Sequence, residues 1–340
     1  MRQRSFLPLL AATMLAVAAS GYALVQDNRA VHPALRARPA FPGLAAQLGD
    51  LAWLRVAHGA DALDFAAIAG TWTVVEKANY PAAQGRVQRL LHGLADLVLI
   101  APKTRRPALF GRLGLEDPRS GRSMLVTAQD RTGKTAAALI VGKRCGDPIC
   151  GGAAGLYVRR SGHDQTWRAR GALDLSGDAT AWLDRRVLDI VPAQIASITL
   201  AGADGAALRL HRDTPAATFA VAGLPVGAEV ANRAALARPS RALLGLRFAD
   251  VKPAVELPLP PRGITTATFA TFAGLDIELR LFDAAGRDWI RVSVSGKGAA
   301  AGDAAALDAR LARWTYAIPA DRARLLRLRL ADVLAPGKGM

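Results

Sequence analysis

The sequence predicts an α+β protein in which an N-terminal transmembrane helix precedes two similar modules, each a mostly antiparallel sheet with a packed helix. Three observations support this fold class: an uncharged stretch over residues 5–25, short segments of alternating hydrophobicity separated by turn residues, and a helical pattern in each half. The chain has 340 residues, of which 51% are hydrophobic and 21% charged, so it can bury a sizeable core. This composition excludes disordered, collagen-like and multispanning membrane proteins.

The uncharged stretch over residues 5–25 follows Arg2 and Arg4, a pattern typical of a secretory signal or a signal anchor. At about 1.5 Å per helical residue it would cross about 30 Å, the hydrocarbon thickness of a bilayer. We predict a signal anchor at residues 1–25 that holds a periplasmic, extracytoplasmic body at the inner (cytoplasmic) membrane. A cleaved signal peptide and a buried helix of a cytosolic protein are the alternatives. A lipoprotein is not expected, because both cysteines lie far downstream.

A linker and a first α+β module follow this segment. Residues 26–50 contain three prolines and several arginines, which is typical of a linker. The first module is predicted over residues 51–190, with a helix from Pro81 to about Val98 whose apolar residues recur at helical spacing. Its predicted strands lie at residues 51–58, 72–76, 124–127, 137–141 and 156–159, and near Trp167.

The second half repeats the order of the first, which predicts a second α+β module over residues 191–335. A helix is predicted at about 228–246, in the position that the 81–98 helix takes in the first module. The predicted strands lie at residues 195–200, 207–211, 219–221, 267–272, 275–282 and 289–294. The alternative is a chance similarity between two halves of an alanine-rich chain.

The two cysteines, Cys145 and Cys150, are separated by a turn sequence. An extracytoplasmic body meets an oxidising compartment, where these cysteines can form a local disulfide across Gly146 and Asp147-Pro148. Such a short loop gains little closure entropy, so the bond would mainly fix the end of a hairpin. The alternative is two unpaired structural thiols. A metal site needs three or four ligands, and the nearest histidine, His163, stands alone in the sequence.

No motif predicts catalysis, a cofactor or a metal. Thr132–Thr135 match the end of a phosphate-binding P-loop, but position 128 is alanine where that loop needs glycine, and strands are predicted on both sides. A hairpin turn over residues 130–133 is predicted instead. Histidines and carboxylates are dispersed, so a hydrolase would need two distant acids to converge in one cleft. We expect a non-enzymatic protein with no catalytic, cofactor-binding or metal-binding residues.

The chain is strongly basic, with 44 Lys and Arg against 28 Asp and Glu, a formal net charge of +16 and a pI near 11.0. Nucleic-acid binding is not expected, because aromatic residues make up only 6% of the chain and the body is predicted to be exported. Attraction to anionic lipid or to an envelope polymer fits the charge better, and a solvated arginine-rich face is the alternative. A candidate interaction surface is formed by Trp182, Asp184, Arg185 and Arg186, for which a helix cap and a core tryptophan are the alternative.

Several short motifs occur in an order that resembles one protein family. They are Trp72–Lys77 with Tyr80-Pro81, Leu113–Pro118, Val141–Lys143, Leu156–Arg159, Gln165–Trp167, Trp182–Arg185, Phe272–Leu275 and Trp314–Pro319. Over about residues 50–330 the chain resembles the domain-of-unknown-function 4340 family. Ala273-Gly274 depart from the Asp-Gly of that family, and the Cys145 to Cys150 insertion is not part of its pattern.

The resemblance implies one N-terminal membrane helix, an extracytoplasmic body and a membrane partner, but no established reaction. Genes of such proteins often lie beside those of an ABC-type transport system that resembles the gliding-motility transporter. The chain is therefore expected to be a membrane-anchored accessory protein that binds a transporter subunit or an envelope ligand. Hydrolysis of an envelope polymer and structural tethering to anionic envelope surfaces are the alternative functions.

Overall fold

The computed structural model describes residues 37–119, 121–146, 155–224 and 228–334, together with Ser20. The strands in these ranges, numbered in chain order, are β1 (Arg38–Pro39), β2 (Leu51–His58), β3 (Asp61–Ile68), β4 (Thr71–Val74), β5 (Tyr80–Pro81), β6 (Val98–Pro102), β7 (Met124–Asp130), β8 (Thr135–Cys145), β9 (Gly155–Arg160), β10 (Thr166–Arg170), β11 (Arg186–Leu188), β12 (Ile195–Ala201), β13 (Ala207–His211), β14 (Ala220–Val221), β15 (Leu246–Arg247), β16 (Asp250–Pro253), β17 (Thr265–Thr271), β18 (Leu275–Ala284), β19 (Arg287–Gly296) and β20 (Trp314–Ala317). The α-helices whose bounds lie in the same ranges are α1 (Leu44–Gln47), α2 (Gln84–Ala95), α3 (Phe110–Leu113), α4 (Ala301–Leu311) and α5 (Ala320–Leu326).

The chain divides into two compact units, each built from more than one chain segment. The first unit contains the described residues up to Ala62 together with Gln88–Gly177, and the second contains Leu63–Val87 and the described residues from Asp178 onward. The predicted linker at 26–50 and the predicted modules at 51–190 and 191–335 stay a prediction.

The first unit contains antiparallel strands in the order β1-β6-β10-β9-β8-β7-β2. Alternate residues of these strands are buried, among them Leu54 and Val56 on β2 and Val126 on β7, as expected of strands with one face on a core. Strands β7 and β8 form the predicted hairpin, in which Thr127 pairs with Ala138. The alternation in the sequence therefore predicted this part of the sheet correctly.

The turn of this hairpin is the segment that matches the end of a P-loop. The Asp130 carboxylate accepts hydrogen bonds from the Thr132 hydroxyl at 2.6 Å and from the Thr132 N–H at 2.8 Å. These bonds stabilise the carboxylate and lower the pKa of Asp130 from its ordinary value. Gly133 adopts the left-handed backbone at φ 84° that closes the turn. The prediction of a hairpin turn here is confirmed.

The second unit contains an eight-stranded antiparallel sheet in the order β14-β13-β12-β17-β18-β19-β20-β16. Helix α4 packs against β19, and its Asp308 carboxylate accepts a hydrogen bond from the Val294 N–H at 2.8 Å. The unit also holds most of β3, which pairs with β4, while β4 pairs with β5. Strands β11 and β15 form a separate two-stranded pair.

The predicted fold class is wrong, because the described chain is mostly antiparallel sheet with few helices rather than two helix-packed α+β modules. Residues 228–246, predicted as one helix, contain two short 3-10 helices at Arg233–Ala237 and Pro239–Ala242. Pro239 has no N–H for a continuing α-helix, and its ring clashes with the preceding turn. The position of this segment in the repeat thus predicted a helix that the proline prevents.

The transmembrane helix included in that fold class is not supported either. Among the described residues, no helix is both long and apolar enough to cross a membrane. The predicted segment, residues 5–25, lies outside the described residues except for Ser20. An uncharged run meets the length requirement of a span, but that requirement alone does not establish a helix.

Candidate functional site

The predicted interaction surface begins with a tryptophan that the second unit buries. Trp182 is 0% exposed, and its ring meets that of Phe65 edge to face with centroids 5.0 Å apart. The Arg86 guanidinium lies 4.5 Å from the Trp182 ring centroid and donates a hydrogen bond to the Ala181 carbonyl at 2.7 Å. Trp182 therefore belongs to the core and offers no surface to a partner.

The other three residues of the predicted surface lie in different surroundings. Arg185 is half-buried and donates from Nε to the Phe248 carbonyl at 2.7 Å. Asp184 and Arg186 are exposed, and Arg186 lies 3.9 Å from Asp189 in a surface ion pair. The structure thus leaves two of the four residues at the surface, and their role in binding stays a prediction.

A cluster of buried aromatic rings lies in the same unit. Tyr80 contacts Phe248, Trp314 and Tyr316 edge to face, with ring centroids 5.3, 4.9 and 6.4 Å away. Burial disfavours the phenolate and, with the negative charge of Asp184, raises the pKa of Tyr80 to about 12. Burial and the neighbouring Tyr80 also raise the pKa of Tyr316. The phenol groups are therefore neutral at physiological pH, and the packed rings fix the position of Trp314.

The raised pKa of Tyr80 predicts a loss of stability at alkaline pH. The unfolded state releases the phenolic proton near pH 10, whereas the folded state holds it up to about pH 12, so stability falls between these values. Release of the Tyr80 proton in the unfolded state alone lowers the free energy of unfolding by at most about 1.4 kcal/mol per pH unit. We expect Tyr80→Phe to show a shallower fall in urea unfolding between pH 10 and pH 12. Identical slopes for the variant and the parent protein would contradict this account.

Trp314 also lines an open groove of about 680 Å³, which we call the aliphatic groove. Its lining includes Ile68, Ala78, Asn79, Val255, Arg313 and Trp314. Val255 is 88% exposed and Ile68 is 49% exposed. Single exposed apolar residues are ordinary on protein surfaces, and here two of them line one groove. The groove is therefore a surface of this unit that suits an apolar partner.

The backbone around the groove adopts uncommon conformations. Ala78 and Asn79 line the groove with φ of 53° and 60°, and Ala69, beside Ile68, has φ 47°. Left-handed backbone is unfavourable for residues with a Cβ, and it persists where surrounding contacts hold it. The Ala78 and Asn79 N–H groups donate to the carbonyls of Val75 and Val74, each at 3.0 Å. This rigid turn gives the groove a preformed wall.

Arg313 supplies a positive charge at the groove. Its side chain is exposed, and its guanidinium lies 5.4 Å from the Trp314 ring centroid. A guanidinium beside an aromatic face keeps its donors available for a carboxylate, which it can bind in a bidentate manner. The groove therefore combines exposed aliphatic side chains with a single cation among the named lining residues.

A second pocket of the same unit, of about 540 Å³, brings two carboxylates together. Asp250 accepts a hydrogen bond from Lys77 Nζ at 2.7 Å and lies 3.8 Å from Arg287, while Asp288 pairs with Arg327. Glycoside hydrolysis needs two acids, of which one starts as a proton donor. Both acids of this pocket are paired with cations, Asp250 with Lys77 and Asp288 with Arg327.

Several arginines of the second unit donate hydrogen bonds to backbone carbonyls of the same unit. Arg212 donates to the carbonyls of Ile195 and Pro215 at 2.8 and 2.9 Å and to that of Pro192, and its guanidinium lies 4.5 Å from the Phe219 ring centroid. Other arginines that donate to backbone carbonyls are Arg86, Arg185, Arg291, Arg310 and Arg322. Part of the positive charge thus binds backbone carbonyls of the same unit.

The predicted disulfide falls partly outside the described residues. Cys145 ends β8 and is buried, whereas Cys150 is not among the described residues, so the pairing stays a prediction. Among the residues that the structure describes, no group of three or more His, Cys, Asp and Glu side chains is placed to hold a metal ion.

The two exposed aliphatic residues of the groove, Ile68 and Val255, were not predicted from the sequence. Ile68 ends β3, a strand that was not predicted because its alternation is interrupted by small residues. Val255 follows β16 in a proline-rich segment over residues 253–261. The prolines indicate irregular structure there, but no local pattern distinguishes an exposed valine from a buried one.

Comparison with known proteins gives one match. A protein-family model described as "Domain of unknown function (DUF4340)" matches residues 72–260, which is more than half of the 340 residues. The matched range begins at Trp72, the first motif of the resemblance, and includes Val255 of the aliphatic groove. No curated protein and no solved structure matches the chain.

Proposed function

The chain belongs to the DUF4340 family of unknown function, and from this premise we propose that it is a non-enzymatic accessory protein of an ABC-type transport system. Its body would lie outside the cytoplasm at the inner membrane and bind one transporter subunit through the aliphatic groove. The observation that carries the proposal is the exposure of Val255 and Ile68 in that one groove, at 88% and 49%.

The groove suits a protein segment of defined chemistry. Fully burying a valine side chain is worth about 1.5–3 kcal/mol, so covering Val255 would favour binding. A preformed wall at Ala78 and Asn79 lowers the cost of ordering the site on binding. Arg313 would pair with a carboxylate of the partner. We therefore propose an extended subunit segment with aliphatic side chains and one acidic residue as the occupant.

The sequence supports both the cellular placement and the partner class of this proposal. The uncharged residues 5–25 after Arg2 and Arg4 are typical of a segment that directs export to the cytoplasmic membrane. The family resemblance supplies the partner class, because such proteins are associated with ABC-type transport systems. A transporter subunit at the same membrane is then the partner within reach of the body.

The two alternative functions have weaker support. A polymer hydrolase would use the acids that converge in one pocket, but Asp250 and Asp288 are both held by cations. A tether to anionic surfaces would use the arginines, of which several, such as Arg212 and Arg310, bind backbone carbonyls. The aliphatic groove has no role in either alternative.

The variant Val255→Asp tests the proposal, because it places a charge in the apolar groove without disturbing the core. We expect crosslinking pull-down from native membranes, read by mass spectrometry, to recover at least tenfold less of the transporter permease and ATPase than the parent protein does. A tenfold loss corresponds to about 1.4 kcal/mol, less than the burial of one aliphatic side chain is worth.

The matched control is Val191→Asp, since Val191 is 44% exposed and lies outside the groove lining. It should retain the recovery of the parent protein. Equal recovery of both subunits with Val255→Asp and with the parent, or equal losses in the two variants, would contradict groove binding.

A further inference from the structure

The first unit contains a small pocket of about 220 Å³ that is independent of the proposed docking groove. Met124 and Val141 line it together with Leu156 and Leu173, which are 5% and 7% exposed. These side chains come from β7, β8, β9 and the segment after β10, so the pocket has apolar walls built on the sheet. An apolar wall on rigid strands is the usual setting of a small-molecule site.

Two arginines, Arg122 and Arg144, line the same pocket. Both are exposed, and none of the described residues lining the pocket is acidic. Within the described ranges neither guanidinium forms an ion pair, in contrast to Arg287 and Arg327 of the second unit. Among the residues that the structure describes, the pocket therefore presents two arginines and no acidic lining residue beside an apolar wall. We call it the arginine pocket.

The size of the pocket limits its ligand. At about 30 Å³ for each water-sized group, 220 Å³ holds roughly seven non-hydrogen atoms. Guanidinium groups bind carboxylates in a bidentate geometry, and the apolar wall favours a hydrocarbon portion over a hydrated one. We propose that the arginine pocket binds a short-chain apolar carboxylate, with the carboxylate at Arg122 and Arg144 and the hydrocarbon chain against Leu156 and Leu173.

Hexanoate is the probe for this site, because its five-carbon chain fits within the roughly seven non-hydrogen atoms that the pocket holds, while its carboxylate meets the exposed Arg122 and Arg144. We expect hexanoate to bind the full-length protein saturably by isothermal titration calorimetry, and to bind at least tenfold more tightly than acetate. The variants Arg122→Gln and Arg144→Gln should each weaken hexanoate binding at least fivefold. Both changed side chains are exposed, so the thermal unfolding midpoint should stay near that of the parent protein.

The variant Arg89→Gln is the matched control, because Arg89 is exposed in the first unit and does not line the pocket. It removes the same charge and should leave hexanoate binding unchanged. Absence of saturable binding would overturn the proposal. Equal affinity for acetate and hexanoate would also overturn the proposal, because it would indicate general attraction of anions. The same holds if Arg89→Gln weakened hexanoate binding as much as Arg122→Gln or Arg144→Gln.

Discussion

The Trp182→Ala variant is expected to lose about 3–5 kcal/mol of unfolding free energy, the cost of removing a fully buried large aromatic side chain. The change opens a cavity beside Phe65, whose ring lies 5.0 Å from that of Trp182. It also removes the ring under the Arg86 guanidinium, at 4.5 Å, and leaves that cation beside a void. The measurement is urea-induced unfolding followed by near-ultraviolet circular dichroism.

The matched variant is Trp182→Phe, which keeps an aromatic ring and most of the volume at this position. It should lose clearly less stability than Trp182→Ala. A loss below about 1 kcal/mol for Trp182→Ala would be typical of a surface position and would contradict its place in the core.

The second large effect is expected for Gly142→Ala in the first unit. A Cβ at position 142 would lie 2.3 Å from the Leu113 carbonyl oxygen and 2.7 Å from that of Gly114. Both neighbours are backbone atoms, so the chain itself must move. We expect a loss of about 3 kcal/mol in the free energy of unfolding, at the upper end of overpacking effects, measured by urea unfolding.

Gly49→Ala is the control for this substitution. A Cβ at position 49 would meet no heavy atom within 4 Å, and Gly49 is not among the glycines with positive φ. Its effect should stay near zero or be slightly stabilising, because alanine restricts the unfolded chain. If both variants lost the same stability, the close approach at Gly142 would not be the cause.

The strands that the sequence predicts best are those with clear alternation and strong turn residues. Strand β2 coincides with the predicted residues 51–58, and the hairpins β7/β8 and β12/β13 lie where the turn chemistry predicted them. Part of each of these strands alternates between buried and less buried residues, as at Leu54 and Val56 of β2 and at Ile198 and Leu200 of β12. Such alternation is a local property of the sequence.

Two elements of the structure differ from what the sequence predicted. Strand β3 has no clear alternation, and its pairing with β4 determines its conformation. The predicted helix at 228–246 had the right composition, but Pro239 interrupts it. The predicted fold class was wrong because the described chain is mostly antiparallel sheet with few helices.

The candidate site was not predictable from local sequence. Tryptophan is a residue type that often binds partners, yet Trp182 packs against Phe65 and is part of the core. Valine is a residue type that is usually buried, yet Val255 is 88% exposed. Whether such a residue faces the core or the solvent depends on how residues 63–87 and the strands around β16 and β20 pack within the second unit.

The most direct test of the central proposal is site-specific photocrosslinking from position 255 in native membranes. A photoreactive residue replaces Val255 in the full-length protein, and a second protein carries it at Val191 as the control for surface exposure. We predict a crosslink from position 255 to a permease or ATPase-associated subunit of the transport system. The crosslinked peptide should contain aliphatic residues and an acidic residue, and position 191 should give no such crosslink. Crosslinks from position 255 that contain no transporter subunit, or that match those from position 191, would contradict the proposal.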